Sequence, residues 1–168
     1  MKGVAQTSFR EGSILNSPPR LRLATPFLLN LRSRVRVASW NVLTLSDTGY
    51  QVALQLAMAA HNIYIACLSE TPIPASGSHA VGTHSLIFSG GTLKQRGVAV
   101  MLSPTATRSM VSYRAISDRL LLVRLQHRHG FLTVISAYAP TEPSSVVDKD
   151  AFMTNSAVSY LRFRLTID

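Results

Sequence analysis

The order of the apolar segments constrains this chain most: one alternating strand pattern, one stretch of helix formers, then a run of short strands. Residues 34–40 alternate polar and apolar side chains, the period of a half-buried strand. Residues 41–49 read as a loop, with Asp47-Thr48-Gly49 as turn chemistry. Residues 50–60 hold Val52, Leu54, Leu56, Ala57 and Met58 among good helix formers and predict a helix ending near His61-Asn62. Residues 63–69 predict a short buried strand, and Thr71-Pro72-Ile73-Pro74 must then be extended or turned. Residues 75–84 predict a flexible Gly/Ser/His loop. Strands are expected at 85–89 and 97–102, the second stopped by Pro104. Residues 119–126 and 131–137 predict a hairpin turning at His127-Arg128-His129-Gly130. Pro140 and Pro143 bound a loop, and residues 146–159 suit a helix. This order predicts an α/β layered architecture with mixed strand pairing, not a strict βαβ repeat. There is no internal repeat.

Composition sharpens the domain boundaries. A chain of 168 residues with 46% apolar side chains can bury one core and does not read as globally disordered. The net charge of +9 is unevenly placed. Residues 1–36 hold seven Lys/Arg against Glu11 alone, whereas residues 37–168 hold ten against seven acids. Residues 1–34 therefore read as a disordered basic leader. Its Arg and Ser loosely suit a mitochondrial transit peptide, but Pro18-Pro19 and Pro26 oppose one amphipathic helix, so a disordered basic tail or translated sequence not selected to fold is the better reading; localisation stays open, with nucleus or cytoplasm ahead of mitochondrion. No apolar run is long enough for a membrane helix, and no membrane partner is expected. Cys67 is the only cysteine and lies in an apolar run, where a small buried hydrophobe is the simpler reading than a nucleophile.

Three polar residues lie just beyond predicted strand ends: Asn41, Glu70 and Tyr138. Loops at strand ends are where functional groups converge in layered α/β folds. A carboxylate there is a hard-oxygen ligand for Mg2+, which takes one or two carboxylates and keeps several waters. A neighbouring amide can offer oxygen to a metal or N–H to a phosphate. A phenol can donate to a phosphate oxygen. Together they suit metal-assisted phosphodiester cleavage. Each also has a bland reading: a turn asparagine, a solvated loop acid, a half-buried core tyrosine.

Ser39-Trp40-Asn41-Val42 with Leu45, then Ile65-Ala66-Cys67-Leu68-Ser69-Glu70-Thr71, then Gly97-Val98-Ala99-Val100, then Ala137-Tyr138-Ala139-Pro140-Thr141 occur in that order. In this the chain resembles the front half of the endonuclease/exonuclease/phosphatase superfamily. It looks most like LINE-type retrotransposon endonucleases and craniofacial development protein 2-like proteins. Asp148-Lys149-Asp150-Ala151-Phe152 resembles the stretch that follows in those proteins. The resemblance implies Glu70 as the Mg2+ ligand and Asn41 beside it in the metal and phosphate site. It implies Tyr138 at the scissile phosphate, with Arg119 in a supporting role. It also implies DNA as substrate. The implied fold is a four-layer αββα sandwich, of which residues 35–152 supply the front half, mainly antiparallel with flanking helices. Residues 153–168 no longer resemble the family, and Tyr160-Leu161-Arg162-Phe163-Arg164-Leu165 suits an unrelated strand or translated non-homologous sequence. The family's later Gly-Asp-Phe-Asn and Ser-Asp-His motifs do not occur in this sequence. The expectation is a domain with little or no activity, whose inner apolar face and at least one strand edge lack their partner sheet. The resemblance leaves room for a partner chain that supplies the missing half. The main rival is a non-enzymatic remnant that binds nucleic acid or protein through the basic leader. A phosphatase acting on a small molecule or lipid is a further rival. Gly90-Gly91 suits a hairpin turn better than a phosphate loop.

Overall fold

The computed structural model describes Leu29, residues 34–90 and residues 96–164, with the backbone alone for 159–164. Residues 1–28, 30–33, 91–95 and 165–168 lie outside the described residues, and with them most of the expected leader and of the turn expected after Gly90. Two sheets are stacked. The larger has the order β1 (Arg36–Asn41), β2 (Ile63–Ser69), β5 (Val98–Leu102), β4 (His84–Ser89), β3 (Gly77–Val81). The smaller has the order β6 (Met110–Ser117), β7 (Leu120–His127), β8 (Gly130–Ala137). Only β1 and β2 are parallel, joined through helix α1 (Thr48–Ala60), and every other pair is antiparallel. The α/β layered architecture with mixed pairing expected from the segment order is therefore present, as two sheets in a sandwich.

Strand alternation explains the layering. On β5, Val98, Val100 and Leu102 point toward the small sheet and pack with Ile65, Ile87, Leu121, Val123 and Leu125. Ala99 and Met101 point the other way and pack with Ala66, Leu68, Leu86 and Met58 of α1. A strand buried on both faces must be apolar throughout, and β5 is buried at all five positions. Cys67 packs at the margin of the inter-sheet core, where burial pushes its thiol pKa up, as suits a packed hydrophobe.

Helix α1 starts two residues before the expected point. Asp47 caps it by accepting from the Gly49 N–H at 2.6 Å, and it ends at His61, followed by Asn62 at φ 53°. Its buried face carries Gln51 and Met58, while Val52 and Leu56 are exposed. The Gln51 amide is satisfied at both ends, donating to the Leu45 carbonyl at 2.8 Å and meeting His79 Nε2 at 2.8 Å.

Several expectations need correction. The inner face of the large sheet is not bare, because β6, β7 and β8 from this same chain cover much of it. Residues 75–84 are not a loop, since β3 and the start of β4 form a hairpin there. That places His79 and His84 on strands. Pro104 ends β5 but also opens helix α2 (Pro104–Arg108), where a missing N–H costs nothing, and Ser103 caps it through the Ala106 N–H at 3.3 Å. Strand β6 was not anticipated: its register shifts between Met110 and Ser112 and again between Ala115 and Ser117, which breaks the two-residue period. Helix α3 (Val146–Arg164) runs without interruption through the stretch expected as a strand after Tyr160.

Candidate functional site

Asn41, Glu70 and Tyr138 meet at one end of the sandwich. Asn41 is the last residue of β1 and pairs with Ser69, so Glu70 follows immediately beside it. Tyr138 is the first residue after β8. The two sheets are tied here by Ser136 Oγ, which donates to the Leu68 carbonyl at 3.2 Å. Two residues further along both strands, the Tyr138 hydroxyl donates to Glu70 Oε1 at 2.8 Å. Asn41 Nδ2 donates to the same oxygen at 2.7 Å. Asn41 Oδ1 in turn accepts from the Leu43 N–H at 3.3 Å. Carboxylate on one side and N–H on the other fix the orientation of the amide. Each bond to the charged carboxylate contributes roughly 1.5–3 kcal/mol.

The backbone at this end is also unusual. Glu70 has φ 56°, a left-handed conformation rarely adopted by residues with a side chain. Such strain persists only where the surroundings enforce it, and it concentrates at functional sites. The next residue is held on both sides. The Thr71 N–H donates to the Gly97 carbonyl at 3.1 Å, and the Gly97 N–H donates to the Asp118 carbonyl at 2.9 Å. Gly97 has φ 113°, and a Cβ there would lie 2.0 Å from the Thr71 carbonyl oxygen. Only glycine fits this close approach.

Arg119 supports Tyr138 directly. It is almost fully buried, its Nη1 donates to the Tyr138 carbonyl at 3.2 Å, and its guanidinium lies 5.4 Å from the centre of the Tyr138 ring. The Tyr138 pKa is raised, chiefly because the hydroxyl donates to Glu70; burial and the Glu70 charge add to this and the Arg119 charge opposes it. The phenol is therefore a neutral donor at neutral pH.

Sequence reasoning missed Arg96. It bridges Asp118 at 3.4 Å and Asp148 at 3.2 Å, tying the start of α3 to the β6–β7 turn at this same end. A lone arginine after a turn carries no sequence signal of such a bridge. His127 and His129 lie at the opposite end of the β7–β8 hairpin, with His129 exposed. His79 reaches Gln51, so the histidines named above stay away from Glu70.

The donor set limits what can bind. Both hydrogen bonds converge on Oε1 of Glu70, which leaves Oε2 as the oxygen open to a cation among the described residues. The amide oxygen of Asn41 is engaged by backbone. Among the described residues no group of three His, Cys, Asp or Glu side chains is placed to hold a metal. The residues present therefore fit a single-carboxylate anchor for a largely hydrated Mg2+, not a closed metal cage.

No family model matches the chain. Among curated proteins, two share detectable sequence with it. The chain is similar to craniofacial development protein 2. Identity is 29% over 106 residues with the Bos taurus protein and 27% over 106 residues with that of Tragulus javanicus. Each match covers 62% of this chain and 18% of the relative, so the chain spans less than a fifth of the length of the relatives it matches. The relationship is distant. Among the described residues no helix is long and apolar enough to cross a membrane.

Proposed function

We propose that this chain carries the metal- and phosphate-binding part of a Mg2+-dependent phosphodiesterase domain of the endonuclease/exonuclease/phosphatase type. On this reading it derives from a retrotransposon-like DNA endonuclease, and these residues have little or no turnover of their own. The observation that supports the reading is the convergence of Asn41 and Tyr138 on one oxygen of Glu70, from the ends of strands in two sheets.

The geometry supports the following roles. Glu70 would hold Mg2+ through Oε2, with Asn41 beside it. The ion would supply Lewis-acid polarisation of a phosphoryl oxygen. Asn41 Nδ2 and Tyr138 Oη clamp Oε1, which fixes the direction of the carboxylate. Arg119 holds the Tyr138 backbone and faces its ring. Tyr138, kept protonated, can release its bond to Glu70 and donate to a phosphate oxygen instead.

Turnover needs more. Water must be activated and the leaving oxygen stabilised, and the residues to which the resemblance assigns these tasks are not in the sequence. General acid–base groups contribute about 10²–10⁴-fold, and a positioned electrostatic donor about 10²–10³-fold. After Tyr138 the acids are Glu142, Asp148, Asp150 and Asp168, and Asp148 is held by Arg96.

The test is nicking of supercoiled plasmid by the folded full chain, with Mg2+ and with chelator, beside Glu70→Gln. The expected result is weak or absent nicking. It is paired with weak Mg2+ binding in calorimetry that Glu70→Gln abolishes. Mg2+ binding indifferent to Glu70→Gln would end the site assignment. Strong Glu70-dependent nicking would end the claim that the chain is catalytically incomplete.

The charge of the leader favours one second reading, a non-enzymatic remnant that binds nucleic acid through residues 1–36. Its mark is salt-sensitive, Mg2+-independent DNA binding that neutralising the leader's arginines removes.

A further inference from the structure

The small sheet has an outer face that the site at Glu70 does not use. On β7, Leu121, Val123 and Leu125 face the core, so Leu122, Arg124 and Gln126 face outward. Their cross-strand partners share that side. Ser112 and Thr133 flank Arg124, Arg114 and Ile135 flank Leu122, and Phe131 is opposite Gln126. Helix α3 touches β6. On β8, Phe131 and Ile135 remain 46% and 43% exposed. The Arg124 guanidinium lies 4.1 Å from the centre of the Phe131 ring, and Arg128 is exposed in the adjoining turn.

The charge on the strands of this face is of one sign. The sequence has no Asp or Glu at 71–117 or at 119–141, so β6, β7, β8 and the β7–β8 turn contain no acid. Asp118, in the β6–β7 turn, is engaged by Arg96. An exposed aromatic ring held by an arginine, on an acid-free sheet with further arginines, matches a polyanion that also carries stackable rings.

We propose that the outer face of the three-stranded sheet binds single-stranded nucleic acid, with Phe131, held by Arg124, as the stacking platform and the exposed Arg114 and Arg128 meeting the phosphates. Unpaired bases are required, because the bases of a duplex are stacked on one another and cannot stack on Phe131. Neither Mg2+ nor Glu70 takes part, so this proposal and the phosphodiesterase reading fail independently.

The experiment is fluorescence anisotropy with the full chain in chelator. The probes are a labelled oligo-dT of about fifteen nucleotides, within the range of known single-strand sites, and a duplex of equal length. Oligo-dT is expected to bind more tightly than the duplex. Phe131→Ala should weaken oligo-dT binding about 10-fold or more, the effect of losing one stacked base. Arg114→Gln combined with Arg128→Gln should lower the slope of log affinity against log salt by about 1.4, from two phosphate contacts on a single strand. Both arginines are exposed, so this pair keeps the proposal testable if Phe131→Ala fails to fold by circular dichroism. Three results would each overturn the proposal. One is affinity and salt slope unchanged in the arginine pair, which would move binding to the leader. Another is equally tight binding of dextran sulfate, insensitive to Phe131→Ala, which would make the face a general polyanion surface. The third is no oligo-dT binding at low salt.

Discussion

Gly97→Ala is expected to damage this protein far more than its size suggests. The new methyl group would lie 2.0 Å from the Thr71 carbonyl oxygen and 2.8 Å from the carbonyl carbon, both backbone atoms. A flexible side chain could swing aside, but this carbonyl belongs to the residue after Glu70 and must move by more than about 1 Å to reach ordinary contact, since atoms at optimal separation lie about 3.5–4 Å apart. That movement breaks the Thr71 N–H to Gly97 bond and disturbs the Gly97 N–H to Asp118 bond. Backbone strain at φ 113° adds about 1–3 kcal/mol. An unsatisfied buried backbone group adds about 1–3 kcal/mol, and reduced freedom of the unfolded chain returns about 0.4–1 kcal/mol. The net loss is about 1–6 kcal/mol, with a midpoint of roughly 3 kcal/mol, a large part of a typical stability of roughly 5–15 kcal/mol. Gly130→Ala is the internal control. Gly130 has φ 141°, yet its added Cβ would meet nothing closer than His127 Nε2 at 3.9 Å. It should lose only the strain, about 1–3 kcal/mol, less the same return of about 0.4–1 kcal/mol. Urea unfolding of both variants, read at equal m-value, separates the two causes. If Gly97→Ala were no more destabilised than Gly130→Ala, the close approach of Gly97 to Thr71 would not be a constraint on the site.

Two further outcomes are expected. Thr71 is fully buried and its Oγ1 has no hydrogen-bond partner among the described residues, so Thr71→Val should be neutral or stabilising by up to about 1 kcal/mol in the same urea assay; a loss of more than that would reveal a partner for the hydroxyl. Ultraviolet difference titration should find a tyrosine ionising above the ordinary value of 10.0, missing in Tyr138→Phe and shifted down in Glu70→Gln. Because the folded pKa is raised, the Glu70–Tyr138 bond contributes its full stability below pH 10, and that stability is lost as pH rises through the folded pKa. A Tyr138 titration indifferent to Glu70→Gln would separate the two residues.

Legibility differed from element to element for physical reasons. Strands β2 and β5 were plain because burial on both faces demands continuous apolar runs. The β7–β8 hairpin was plain because its turn is short and its register regular. Strand β3 was hidden because Gly77, Ser78, His79 and Ala80 favour strand weakly, and their pairing comes from β4. Strand β6 was hidden by its two register shifts, and α2 by a proline that stops a strand and starts a helix with equal ease.

The sequence by itself determined which polar residues stand at strand ends, since alternation and apolar runs mark where each strand stops. Asn41, Glu70 and Tyr138 stand out on that basis, and the family resemblance of the motifs around them is what raises them above a bland reading. Only the tertiary structure decided that the three share one carboxylate oxygen. Residues 41, 70 and 138 are far apart in the chain, and their meeting depends on parallel pairing of β1 with β2 and on β8 lying across β2. The same holds for Arg96 between Asp118 and Asp148, and for the acid-free outer face around Phe131. One-dimensional patterns report which face of a strand is apolar, but they carry no information on which other strand that face will meet.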